Sequence, residues 1–158
     1  MDLKEVNIIH SLFKEKDLTL SVAESCTGGL ICHYLTAVPG ASSFLQAGVV
    51  TYSAESKKKI LGIPQKVFSS YGIVSEETAQ QMAERIRVIT KTDIAVSTTG
   101  NLGPDVLEGK QTGLVFVAIS SEKGTVSEKL QLKGTRGQIK EKAVAAALRF
   151  LAEVLSNG

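Results

Sequence analysis

The chain has 158 residues, the size of one domain, with 43% hydrophobic and 5% aromatic residues and no Trp, so aliphatic side chains must fill its core. A net charge of +2, with no basic stripe interleaved with aromatics, argues against a nucleic-acid partner. No apolar run is long enough to span a bilayer, and the first residues read as an acid-containing amphipathic helix rather than a signal peptide, so a cytoplasmic protein without membrane contact is expected.

Residues 2–16 read as a helix with Leu3, Val6, Ile9 and Phe13 on one face. Residues 18–24 read as a strand. A turn from Ser25 to Gly29 opens a helix that runs to about Ala37 and ends at Val38-Pro39-Gly40. A strand at 44–52 precedes a helix from about Ser53 to Leu61, stopped by Gly62, and a short helix at 65–71. The clearest helix is 75–90, with Ser75 as its cap, Glu76 and Glu77 at its positive end and Val74 stapled onto Ala79. Its expected apolar face is Ala79, Met82, Ala83, Ile86 and Ile89. A buried strand at 93–99 is followed by an irregular loop. Strands at 113–121 and 125–133 then form a hairpin with Gly124 in its turn. The last helix runs from about Arg136 to Leu155, with Ile139, Ala143, Ala146, Phe150, Leu151 and Val154 inward. The alternation of helices and strands predicts a three-layer α/β/α sandwich with a mixed, mostly parallel sheet.

Cys26 and Cys32 stand six residues apart near one predicted helix and read as free thiols. His10 and His33 are the only histidines, and no ligand set has zinc spacing, so neither a metal nor a cofactor is expected.

Ala23-Glu24-Ser25-Cys26-Thr27-Gly28-Gly29 sits at the carboxyl end of a predicted strand, where open α/β sheets bind ligands. The N–H groups of Gly28 and Gly29 can approach an anion or oxyanion closely, and the helix start adds partial positive charge. Ser25 is placed to attack a carbonyl aimed at those donors. A helix cap by Ser25 or Thr27 is the alternative reading. The segment lacks the Gly-Lys-Ser/Thr ending of a P-loop and is not a Gly-x-Ser-x-Gly elbow. Cys26 is a rival nucleophile or a buried structural thiol.

A serine nucleophile needs a base. His33 lies on the same helix as the turn, roughly 12 Å along it, and His10 sits on the polar, solvated side of the first helix. Among Lys57, Lys58 and Lys59, only Lys57 shares a helical face with both Ile60 and Leu61. Burial on that face would lower its pKa toward the range of a general base; a solvated basic patch is the alternative. Tyr52 ends the preceding strand and can donate a hydrogen bond nearby. Thr98 to Pro104 forms a second strand-end loop, suited to cradling a phosphate or ribose or to a plain turn. Arg136, at the start of the last helix, can clamp a phosphate or stand free at the surface.

Together these segments resemble the C-terminal domain of the CinA family, the nicotinamide mononucleotide amidases, over nearly the whole chain. AESCTGG (23–29) is similar to the family signature without change. GVVTYSAESKKKILGI (48–63) resembles its Gly-x-Val-x-Tyr-Ser-Asn-Glu-x-Lys stretch, with Ala54 in place of Asn. GIVSEETAQQMA (72–83) and Gly134-Thr135-Arg136 are similar to two later segments. The resemblance implies a single amidohydrolase domain that hydrolyses the carboxamide of nicotinamide mononucleotide to nicotinic acid mononucleotide and ammonia. It implies Ser25 as nucleophile, Lys57 as base and Tyr52 as a third catalytic residue. Thr27, Gly28, Gly29, Gly48, Thr99, Gly100, Gly103 and Arg136 would contact the nucleotide substrate, in a homo-oligomer. The sequence departs from the family at Gly100-Asn101-Leu102-Gly103-Pro104 and the DVLEG stretch that follows, where the family has Gly-Ile-Ala-Gly-Pro and then Gly-Gly. Hydrolysis of a different amide, or nucleotide binding without turnover, are the alternatives that this departure motivates.

Overall fold

The computed structural model describes residues 3–158. Helix α1 (Lys4–Lys16) buries Val6, Ile9 and Phe13, as the periodicity predicts, and closes on a left-handed Asp17, but Leu3, expected on the same face, is the cap residue ahead of the helix and is exposed. Residue 2, expected to start this helix, lies outside the described residues. Strand β1 (Leu20–Glu24) is buried throughout and leads into α2 (Leu30–Ala37), then a 3-10 turn (Ala41–Ser43) and β2 (Leu45–Val50). Helices α3 (Ala54–Leu61), α4 (Gln65–Tyr71) and α5 (Glu76–Thr90) follow, then β3 (Ile94–Gly100), β4 (Leu114–Ser121), β5 (Gly124–Gln131) and α6 (Arg136–Asn157).

The sheet order is β2-β1-β3-β4-β5. β1 pairs in parallel with β2 and β3, and β4 pairs antiparallel with β3 and β5, so only β4 runs against the other strands. Helical crossovers enforce the parallel pairs, and a two-residue turn at Glu122-Lys123 joins β4 to β5. Gly124, expected within that turn, is instead the first residue of β5, paired with Ser121.

Helices cover both faces of the sheet. On one, Leu20, Val22, Val96, Val117 and Ile119 pack against α1, α2 and α6. On the other, the small side chains of Ala23, Ala95 and Ala118 let α5 settle close to the strands through Ala79, Met82 and Ala83. Val74 joins Ala79 there, and the Ser75 side chain accepts the Thr78 N–H, as the cap reading predicts. Besides Leu3, two apolar residues expected inward are exposed, Ile89 at 54% and Ile60 at 52%. At about 100° per residue each falls on the flank of its stripe rather than its centre. In α6, Phe150 and Val154 are only half-buried, while Val144, Ala147 and Leu148 complete the inward face. No helix among the described residues is long and apolar enough to cross a membrane.

Candidate active site

The two-residue period of β1 separates its last side chains. Glu24 continues the Leu20–Val22 face toward α2, and Ser25, next in phase, turns toward α3 and α5. The Ser25 N–H is held by Thr98 O at 3.1 Å, and a tight turn returns the Gly28 N–H to Ser25 O at 3.1 Å, with Gly28 at a φ of +60°. The Glu24 carboxylate, fully buried, accepts the N–H groups of Gly29 (3.0 Å), Ile31 (3.2 Å) and Cys32 (3.1 Å). It therefore occupies the positive end of α2. Sequence reasoning passed over Glu24; its phase with Leu20 and Val22, next to a helix start, was the available signal.

Lys57 comes from the first half of α3. A reciprocal capping box between Ser53 and Ser56 fixes the start of that helix. The Lys57 side chain is fully buried, as its helical phase predicts. Its Nζ donates to Ser25 Oγ at 2.9 Å, Thr51 O at 2.7 Å and Tyr52 O at 3.3 Å, which matches the three protons of an ammonium. No salt bridge among the described residues involves it. Burial without a counter-ion lowers its pKa from 10.5 to about 8. Ser25 is thus bonded to a group that holds or releases a proton near neutral pH.

A cavity of about 250 Å³ opens beside Ser25. Tyr52, Ile73, Thr99, Leu102 and Arg136 are among its walls. Arg136 begins α6 and ties the mouth together, donating from Nη2 to the Tyr52 hydroxyl at 2.8 Å and from Nη1 to Gly103 O. Tyr52 meets Lys57 through its carbonyl, whereas its ring is 60% exposed and its hydroxyl reaches Arg136. A larger groove over α1, with Leu3, Ile8 and Leu12 among its walls, lies away from Ser25.

The structure therefore brings Ser25, Lys57, Tyr52, Thr99, Gly100 and Arg136 together. Other residues expected at the substrate lie apart from the cavity lining. Thr27 is buried with its hydroxyl on Thr98 Oγ1 at 2.7 Å, and the N–H groups of Gly28 and Gly29 are taken by Ser25 O and Glu24. Gly48 lies on edge strand β2, where an added Cβ would fall 2.3 Å from Cys32 Sγ. Gly103 donates its N–H to Asn101 Oδ1 and its carbonyl accepts from Arg136. The Thr99 hydroxyl donates to Ile73 O at 2.9 Å.

The departing residues have structural work of their own. Asn101 holds its loop from within, its Nδ2 donating to Lys110 O, and Leu102 is buried at the edge of the core. Glu108, unremarked in the sequence, accepts the N–H groups of Ile73 and Val74, while Lys110 donates to Tyr71 O and Val74 O. This clasp fixes the Ile73–Val74 wall of the cavity. Gly72 leaves room for it, since a Cβ there would meet Glu108 Oε2 at 2.2 Å.

The Cys26 thiol lines the cavity, but burial pushes its pKa up to about 12, so it stays protonated. Both cysteines are free. His10, expected to be solvated, is half-buried: its ring nitrogen pairs with Leu35 O at 2.9 Å and its ring meets Phe44 edge-on.

Residues 3–155 match the model of the CinA C-terminal domain. A putative competence-damage inducible protein of Caldanaerobacter subterraneus is 42% identical over 151 residues, 95% of this chain and 37% of that protein. A CinA-like protein of Flavobacterium psychrophilum is 38% identical over 95% of this chain and 36% of its own length. The chain thus spans little more than a third of these relatives. Among solved structures, a CinA superfamily protein from Klebsiella pneumoniae superposes with a TM-score of 0.95 at 27% identity, covering 99% of this chain and 98% of that one. A competence/damage inducible protein from Agrobacterium tumefaciens gives 0.92 at 32% identity, covering 98% and 94%. With the family model, its relatives and the fold in agreement, the chain belongs to the CinA C-terminal domain family.

Proposed function

We propose that this domain is an amidohydrolase that cleaves the carboxamide of nicotinamide mononucleotide, with Ser25 as nucleophile and Lys57 as general base. The observation that carries the reading is the 2.9 Å contact between Ser25 Oγ and a buried Lys57 Nζ whose pKa is lowered to about 8. A neutral Lys57 takes the Ser25 proton as Oγ attacks the carboxamide carbon. In the Ser25–Gly29 turn, the N–H of Cys26, a residue of the cavity wall, makes no hydrogen bond to another residue among those described, which leaves it for the oxyanion. Collapse of the tetrahedral intermediate breaks the C–N bond, and Lys57 returns its proton to the departing nitrogen to give ammonia. Water, deprotonated by Lys57, then hydrolyses the acyl-Ser25 ester to the carboxylate.

Arg136 supports a nucleotide substrate: its guanidinium stands at the mouth of a cavity whose Ile73, Val74 and Leu102 walls suit a flat ring. Ammonia release from nicotinamide mononucleotide, compared with nicotinamide and nicotinamide riboside, tests the substrate. Release from the mononucleotide alone is expected. Equal release from the free amide would remove the role given to Arg136, and release only from an unrelated amide would replace the substrate.

A further inference from the structure

We infer that Glu24 is the positioning residue of the nucleophile turn, and that its carboxylate holds Ser25 in attacking geometry by locking the far end of that turn to α2. The inference rests on the Ser25–Lys57 reading. The turn is pinned at its start by the Ser25 N–H on Thr98 O and at its end by the Gly29 N–H on Glu24 Oε2. Between these points the Gly28 N–H to Ser25 O bond closes it, the Thr27 hydroxyl bonds Thr98 Oγ1 at 2.7 Å and Thr27 O accepts the Leu30 N–H at 3.2 Å. Gly28 and Gly29 both have left-handed φ, +60° and +96°, and Cβ-free residues resist little by themselves. The carboxylate fixes this glycine end of the turn, whose N–H groups the Thr27 bonds do not reach: Oε2 takes two N–H groups, of Gly29 and Ile31, and Oε1 takes that of Cys32.

The residue type follows from this geometry. α2 has no side-chain cap of its own, since its cap position is Gly29. A Ser or Thr cap offers one acceptor oxygen to the first turn, whereas three N–H groups spread across the start of α2 need two. No salt bridge among the described residues neutralises Glu24, so the N–H groups and the positive end of α2 do so. The backbone carbonyl of Glu24 accepts the Thr51 N–H at 2.9 Å, which ties the same residue to the segment that holds Lys57. Glu24 lies outside the cavity lining, so it acts through Ser25 and not on the substrate.

Glu24→Gln keeps the volume but points an amide NH2 at a backbone N–H. The test is labelling of Ser25 by a fluorophosphonate, in which a Ser25 Oγ–P bond forms, fluoride leaves and Lys57 takes the proton. This reports the nucleophile without reference to the natural substrate. In Glu24→Gln we expect every molecule to label eventually, with a rate constant reduced between about tenfold and about a hundredfold, and an unchanged pH midpoint. A merely structural role would instead leave an unlabelled unfolded fraction, with the remainder reacting at the wild-type rate constant, and that result overturns the inference. Glu24→Asp, which keeps the charge but falls short of the α2 N–H groups, carries the same test at lower risk to folding; an intermediate rate constant is expected, and the wild-type one contradicts. Failure of the wild type to label at Ser25 would remove the Ser–Lys reading and this inference with it. Labelling without ammonia release would overturn only the substrate.

Discussion

Ser25 Oγ and Lys57 Nζ are 32 residues apart in the chain and 2.9 Å apart in space, and the lysine in that pair has no carboxylate partner. A cation held this way is costly to bury, so the fold favours its neutral form. That preference turns a side chain normally protonated at pH 7 into a usable base.

The first consequence is a pH profile. Only neutral Lys57 accepts the Ser25 proton, so kcat/KM should rise about tenfold per pH unit below the Lys57 pKa and level off above about 8. Steady-state rates from pH 6 to 9.5 check this. A rate independent of pH below 8 would contradict Lys57 as base.

The second concerns stability. The folded-state pKa of Lys57, about 8, lies below its ordinary 10.5. Between those values the unfolded chain keeps a proton that the native protein has lost, so stability rises with pH across this window. Lys57 is therefore a liability below pH 8, on the order of 3 kcal/mol before relaxation. Lys57→Met removes it but leaves Thr51 O and Tyr52 O without their donor, at about 1 kcal/mol or more. Denaturant unfolding should show the variant gaining on the wild type at pH 6, with that advantage shrinking by pH 10. An advantage that grows with pH would have the wrong sign.

Gly48 offers a structural test of a residue first expected at the substrate. Its missing Cβ makes room for Cys32 Sγ, so Gly48→Ala should destabilise by about 1–3 kcal/mol. Cys32→Ala in the same chain should recover much of the loss, because the next neighbour, Cys32 Cβ, stands 3.6 Å away. Additive effects in a double-mutant cycle would rule this packing relation out.

The Glu108 clasp predicts a change in binding more than in chemistry. Glu108→Gln should raise KM several-fold, on the order of the loss from a loosened binding wall, while kcat at the pH plateau changes little. The negative charge of Glu108 also raises the pKa of Lys57, so the acid limb of the pH profile should move to lower pH. Steady-state kinetics that show a collapsed kcat with an unchanged KM would place Glu108 elsewhere in the mechanism.

The elements and the inward phase of Lys57 were readable because each depends on local period, whereas the pairing of Lys57 with Ser25 came from the family resemblance. Val6, Ile9 and Phe13 mark the buried face of α1, and the shared face of Lys57 and Leu61 turns the lysine inward. Ile60 and Ile89 show where that reasoning ends, since a stripe has flanks and sequence alone does not say how far the neighbouring layer extends. The use of backbone donors was beyond local reading. Gly28 and Gly29 look like anion donors until Glu24, from the strand before them, is seen to hold the helix start. His10 was likewise misjudged because Leu35 and Phe44, its partners, come from distant segments. Tyr52 was singled out for its hydroxyl, yet it is its carbonyl that meets Lys57.

The role of Ser25 is tested most directly by ammonia release from nicotinamide mononucleotide, measured side by side for the wild type and for Ser25→Ala at pH 8, with equal thermal unfolding as the control for folding. The expected result is turnover by the wild type and a loss of about a thousandfold or more in Ser25→Ala. Equal release by the two proteins would contradict a serine nucleophile.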